Sequence, residues 1–129
     1  MARPTIRHMA IFARDTKKMA EFYRDVFEME IVHSMKAPNS DKMAWFVTDG
    51  YMNLAILPHR LTAGDEMHPG LHHFGFKVEN YEEIAKRIAD VDGEPPQKRP
   101  SNRPYAEHRG CDTEGNLFDI AEAGFARGD

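Results

Sequence analysis

The chain carries one motif twice. IRHMAIFARD begins at Ile6, and LHHFGFKVEN begins at Leu71. Superposed, Ile6 falls on Leu71, His8 on His73, Ala10 on Gly75, Ile11 on Phe76 and Asp15 on Asn80. Each copy has the alternation of a strand, then a helix-capping residue, then an amphipathic stretch. A repeat of this size means two copies of one supersecondary unit, placed so that equivalent residues converge. His8 and His73 therefore become candidates for one shared site.

Residues 5–14 read as a strand, with Ile6, His8, Ala10 and Phe12 on one face and Met9, Ile11 and Ala13 on the other. Asp15 and Thr16 supply an N-cap. Met19, Phe22, Tyr23, Val26 and Phe27 form a helical stripe over 16–28. Short strands follow at Glu30–Met35, Met43–Thr48 and Met52–Leu57, separated by Pro38-Asn39-Ser40 and by the hairpin signal Asp49-Gly50. The Pro- and Gly-bearing stretch that follows has no period and reads as a connector. The order then recurs. Leu71–Val78 is a strand, and Asn80 caps a helix with stripe residues Ile84, Ile88 and Val91 that Gly93 ends. Three strands follow at Glu94–Lys98, Tyr105–Cys111 and Asn116–Glu122, the first confined to an edge by Pro95 and Pro96. The pattern is βαβββ twice. It predicts an α+β fold in one domain over 1–129, with module one at 5–58, a connector at 59–70 and module two at 71–122.

One helix per module covers one face of the sheet, so the other face must be buried or line a cleft. Both histidines stand on the face with small neighbours, Ala10 in one copy and Gly75 in the other. In the last strand, Asp119 alternates with Leu117 and Ala121. A carboxylate between apolar neighbours in a buried strand is costly unless it is paired or ligating. Two imidazoles and a carboxylate make an open site for a divalent metal, with positions left for substrate. His8, His73 and Asp119 are the expected ligands. His72 reads as a helix-side polar residue or as a register alternative to His73. Glu122 reads as a solvated edge residue and His33 as exposed, while His59 and His68, in the connector, read as solvated or lid residues. Trp45, Phe46 and Met52 read as core or as the apolar lining of a pocket.

A net charge of -4 gives no field that recruits nucleic acid or an anionic membrane. No apolar run is long enough to cross a bilayer, the start MARPTIRHM has no apolar signal-like stretch, and Cys111 is alone. The expected setting is the cytoplasm.

At HMAIFARDTKKMAEFYRDVFEME, HFGFKVEN and DTEGNLFDIAE the chain resembles the vicinal-oxygen-chelate superfamily. That superfamily includes glyoxalase I, extradiol dioxygenases, fosfomycin-resistance enzymes, methylmalonyl-CoA epimerase and bleomycin-resistance proteins. The resemblance implies paired βαβββ modules in a U-shaped mixed sheet around a cleft and a metal. It implies a metal-dependent lyase or dioxygenase acting on a small molecule, with His8, His73 and Asp119 holding iron, manganese, nickel or zinc. It also implies a homodimer, with His8 from one chain and His73 and Asp119 from the other. The alternative is a metal-free ligand-sequestering protein of the bleomycin-resistance type.

Two departures from the family pattern are visible. Asp119 stands where the family has a glutamate, so its strand must sit closer to the ion or a water must bridge. The fourth strand offers Leu54 where glyoxalase I and the epimerase would need an acid, which removes a ligand and the base of those branches. On the penultimate strand, Arg109 lies near the place of the dioxygenase tyrosine, with His108 and Tyr105 close by. Arg109 is the expected anchor for an anionic substrate, His108 the expected acid–base, and Tyr105 a third catalytic candidate. Lys77, Arg103 and Arg109 are the cations available for a phosphonate.

Overall fold

The computed structural model describes residues 2–37, 40–59, 70–101 and 106–124. The first copy of the repeat gives β1 (Thr5–Ala13), α1 (Thr16–Phe27), β2 (Glu30–Lys36), β3 (Met43–Thr48) and β4 (Asn53–Pro58). The second gives β5 (Gly70–Lys77), α2 (Tyr81–Asp90), β6 (Gln97–Lys98), β7 (His108–Cys111) and β8 (Leu117–Ala121). The order is βαβββ twice, as the periodicity predicts.

Local chemistry fixes the boundaries. Asp15 accepts from the Lys18 amide at 3.0 Å and Asn80 from the Glu83 amide at 3.2 Å, so both helices begin at side-chain caps. The β3–β4 turn is held by Asp49 Oδ1, which accepts from the amides of Tyr51 and Met52. Asp112 Oδ1 does the same between β7 and β8 for the amides of Glu114 and Asn116. Of the turn before β3, Pro38 and Asn39 lie outside the described residues, while the Ala37 amide donates to Lys42 O across it. α2 stops at Asp90, short of Gly93. The Gly93 amide closes back on Ile88 O at 2.8 Å, and a Cβ at Gly93 would meet Ile88 Cγ2 at 2.7 Å. Glycine is there for space. β6 is shorter than the expected Glu94–Lys98 because Pro95 and Pro96 donate no hydrogen bond, so pairing starts after them. β7 begins at His108 rather than Tyr105, which lies outside the described residues.

The strands form one eight-stranded mixed sheet in the order β2-β3-β4-β1-β5-β8-β7-β6. The two copies meet at its centre, where β1 and β5 run antiparallel. Each central strand is flanked by a parallel neighbour, β4 beside β1 and β8 beside β5. On the helix face of module one, Ala13, Ala20, Val47 and Ile56 form a buried core with Met19, Tyr23 and Trp45 against it. On the other face, Ala10, Ala44, Phe46 and Ala55 form a second core. The pair Trp45–Phe46 is thus divided by strand alternation, and Met52 precedes β4 in the turn. Module two is thinner. No residue of α2 is buried, and Phe74, Phe76 and Phe118 cover the helix face as an edge-on aromatic group.

Candidate metal centre

The antiparallel register of β1 on β5 sets His8 opposite Gly75 and Ala10 opposite His73. The parallel register of β5 on β8 sets Gly75 opposite Asp119. Gly75 therefore lies between His8 and Asp119 and puts no side chain in the way. His8 and His73 are each 6% exposed and Asp119 is 0% exposed. His8 Nε2 lies 3.2 Å from His73 Nε2. His73 Nε2 lies 3.1 Å from Asp119 Oδ2, and His8 Nε2 lies 4.0 Å from it. All three offer a donor atom within 4.8 Å of the others, and among the described residues they are the group that could hold a metal ion.

Within this one chain the three residues come together, because β1 pairs with β5. The shorter aspartate also reaches, since Asp119 Oδ2 contacts His73 Nε2 directly.

Asn53, which the sequence reading passed over, sits beside His8 in the parallel β1–β4 register. Its Oδ1 lies 3.0 Å from His8 Nδ1 and can only accept there. His8 then carries its proton on Nδ1 and aims a lone pair at the site through Nε2, the orientation that metal-ligating histidines have. Burial, followed by the neighbouring His73, lowers the His8 pKa from 6.5 to about 4, so its ring is neutral at neutral pH. The fourth strand gives the site an amide in place of a carboxylate, and Leu54 faces α1 instead.

His72 is turned toward the site by a β-bulge. The register steps from Ala10/His73 to Ile11/Leu71, which leaves His72 as the extra residue. Its Nδ1 is 2.8 Å from His73 Nδ1. Burial first, then His73, lowers the His72 pKa to about 4. One proton arrangement satisfies the whole row. His72 Nδ1 donates to His73 Nδ1, His73 Nε2 donates toward Asp119 and His8, and His8 Nδ1 donates to Asn53. For His73 Nε2 to offer a lone pair, its proton must pass to Nδ1, and His72 Nδ1 is placed to accept from it.

Arg109 stands opposite Asp119 in the β7–β8 register. Its Nε donates to Asp119 Oδ1 at 2.7 Å and its Nη2 to Oδ2 at 3.2 Å, a two-pronged pair. Burial works to raise the Asp119 pKa, but hydrogen bonds from His73 and Arg109, with the Arg109 charge, outweigh it and hold the carboxyl well below the usual range. Arg109 thus reaches the site, though as a partner of Asp119. His108, the preceding residue, points the other way. Its ring stacks on Tyr81 of α2 with centroids 3.6 Å apart, and among the described residues its Nδ1 has no hydrogen-bond partner. Strand alternation puts His108 and Arg109 on opposite faces, so the structure does not bring the expected acid–base to the triad. Lys77 shares the β5 alternation of His73 and Gly75 but lies beyond both, paired with Ala121. Tyr105, Arg103 and His68 lie outside the described residues.

A family model for the Glyoxalase/Bleomycin resistance protein/Dioxygenase superfamily matches residues 5–120. The chain belongs to that superfamily. Among solved structures it is similar to a hypothetical protein from Bacillus halodurans C-125, at 15% identity and a TM-score of 0.71, over 93% of this chain and 94% of that one. It is also similar to methylmalonyl-CoA epimerase from Mycobacterium tuberculosis, at 15% identity and a TM-score of 0.70, over 90% and 85% of the two chains. A Streptomyces coelicolor methylmalonyl-CoA epimerase variant in complex with 2-nitronate-propionyl-CoA matches at 18% identity and a TM-score of 0.66, over 95% and 97%. At these identities the likeness is one of fold. No curated protein matches the sequence.

The donor set of the triad fits a divalent metal. Ligands about 2.1 Å from one ion, at angles of about 90–110°, stand about 3.0–3.4 Å apart. The 3.2 Å and 3.1 Å separations meet this, and the 4.0 Å separation closes with a small rotation of either side chain. Among the described residues no helix is long and apolar enough to cross a membrane.

Proposed function

We propose that this chain is a metal-dependent enzyme acting on a small molecule, of the lyase or dioxygenase kind found in its superfamily. The observation that carries the proposal is the convergence of His8, His73 and Asp119 on one face of the sheet, buried and within 4.8 Å of one another. A divalent ion held by these residues supplies Lewis acidity toward two adjacent substrate oxygens, or, as iron, a centre for dioxygen. The protein's own part is positioning. Asn53 fixes the tautomer of His8. His72 lies against Nδ1 of His73 and can accept the hydrogen bond that Nδ1 donates when Nε2 faces an ion. Arg109 brings a cation to the same place, which suits an anionic or enolate-forming substrate.

The epimerisation carried out by the structural neighbours is not part of the proposal. β4 presents Asn53 and Leu54, and the Asn53 amide is engaged by His8, so no carboxylate from β4 serves as a base. A homodimer and a cytoplasmic setting belong to the proposal.

The test is metal content. Protein incubated with iron, manganese, nickel and zinc should retain about one equivalent of one of them, and His73→Ala should lose it while keeping its circular dichroism spectrum. Full stoichiometric metal in His73→Ala would show that the ligands lie elsewhere.

One observation favours a second reading. The guanidinium of Arg109 already neutralises Asp119, so the buried carboxylate has a counter-charge without a metal. Near-zero occupancy after incubation with all four metals would select that reading.

A further inference from the structure

We propose that Arg109 is a resident counter-cation that a divalent ion must displace from Asp119, so that this one side chain sets the ion affinity of the site. The inference rests on the reading that His8, His73 and Asp119 take such an ion.

A site of two neutral imidazoles and one carboxylate carries one negative charge and attracts a cation. Here that charge is already balanced, because Arg109 holds both oxygens of a carboxylate with 0% exposure. The geometry adds exclusion to balance. Arg109 Nη2 lies 3.2 Å from Asp119 Oδ2 and 3.3 Å from His73 Nε2. These are two of the three donor atoms that would face an ion. A guanidinium nitrogen lying against both Oδ2 and His73 Nε2 competes for the place of an ion bound by those same two atoms, and the two cations repel strongly at short range where water screens poorly. Nη2 must therefore leave Oδ2 for coordination to occur.

The contact is built into the fold. Arg109 and Asp119 are directly paired in the β7–β8 register, so the backbone itself keeps the two side chains on one face. Nε on Oδ1, at 2.7 Å, is the shorter prong and engages the oxygen that the triad does not use. A tilt of the planar guanidinium about the Nε–H···Oδ1 contact, with a turn of the Asp119 carboxylate, releases Oδ2 while Nε remains on Oδ1. Arg109 then becomes a hydrogen-bonding support for a ligating carboxylate.

The experiment titrates Ni2+ and Mn2+ into metal-free protein by calorimetry, for the parent, Arg109→Gln and Arg109→Lys, and records the Tm of each metal-free form. Arg109→Gln removes the charge, so it should bind either ion about tenfold or more tightly than the parent, with a lower metal-free Tm. Arg109→Lys keeps the charge but loses the fork, and should fall between the two. Equal or weaker binding by Arg109→Gln overturns the inference and leaves the metal reading standing. Absence of binding by parent and variants alike overturns both. Should Arg109→Gln fail to fold, Arg109→Lys decides alone, because an affinity equal to the parent's would remove Arg109 from any control of the ion.

Discussion

The two modules share one topology and use it differently. Module one buries apolar side chains on both faces of its strands, around Val47 and Ile56 under α1 and around Ala10, Phe46 and Ala55 on the opposite face. Module two places His73, Asp119 and Arg109 on the face equivalent to that second core. Its helix buries no residue and its aromatic face is only partly covered. Module one gives the site His8, fixed by Asn53, and little else polar. The lesson is a division of labour between duplicated units. Buried charge costs stability unless it is fully paired. A half that hosts such charge can do so when its neighbour, joined edge to edge through β1 and β5, supplies the apolar burial.

The largest effect that can break this comparison is a core truncation. Ile56 is fully buried in the module-one core. Ile56→Ala should destabilise the protein by about 2–5 kcal/mol in chemical denaturation, and metal affinity measured on the folded fraction should stay within a few-fold of the parent's. A tenfold loss of affinity would mean that the core of module one shapes the site directly.

The next effect is a pH dependence that belongs to the site. His8 and His72 have folded-state pKa values lowered from 6.5 to about 4. In the unfolded chain they take up protons at a higher pH than in the folded protein. Their contribution is thus complete above pH 6.5 and is lost as pH falls through the window down to about 4. For His8 alone the loss is on the order of 3 kcal/mol, and less for His72, which is half-exposed. Denaturation of the metal-free protein at a series of pH values should show this slope, and His8→Gln should flatten it. A parent whose stability is level between those limits would refute the buried, neutral state of His8.

Third comes Asn53, the module-one residue that acts on the site through another. Asn53→Ala should weaken metal binding about 10–100-fold, the range for a hydrogen bond that orients a ligand. Asn53→Asp should restore much of it, since a carboxylate also accepts from Nδ1. Unchanged binding in the alanine variant would leave His8 oriented by packing alone.

Much of this was legible in the sequence. The doubled pattern gave the element order, and the histidines at equivalent places with Asp119 on the last strand gave the triad, because strand period and repeat register are local properties. What escaped reading depends on cross-strand alignment. Asn53 becomes a site residue only through its pairing with His8, and a sequence does not print which strand lies beside β1. His72 reaches His73 through a bulge, a one-residue slip that periodicity cannot foresee. The Arg109–Asp119 fork follows from register across a turn. His108 was legible after all. Strand neighbours alternate, so His108 and Arg109 could not both face the triad, and a strict count would have chosen one of them.

The smallest prediction tests whether module two is as lightly held as its contacts imply. Ile84 and Ile88 are the stripe residues of α2, yet neither is fully buried. Truncating a half-buried isoleucine removes roughly half of a full side-chain transfer and leaves little cavity, because solvent and neighbours can close in. Ile88→Ala should therefore cost about 1 kcal/mol, less than half the effect of Ile56→Ala, with hydrogen exchange quickening over α2 and unchanged in β3 and β4. If Ile88→Ala costs as much as Ile56→Ala, α2 has a core of its own. The stability of the site would then be made within module two, and the division of labour between the halves would not hold.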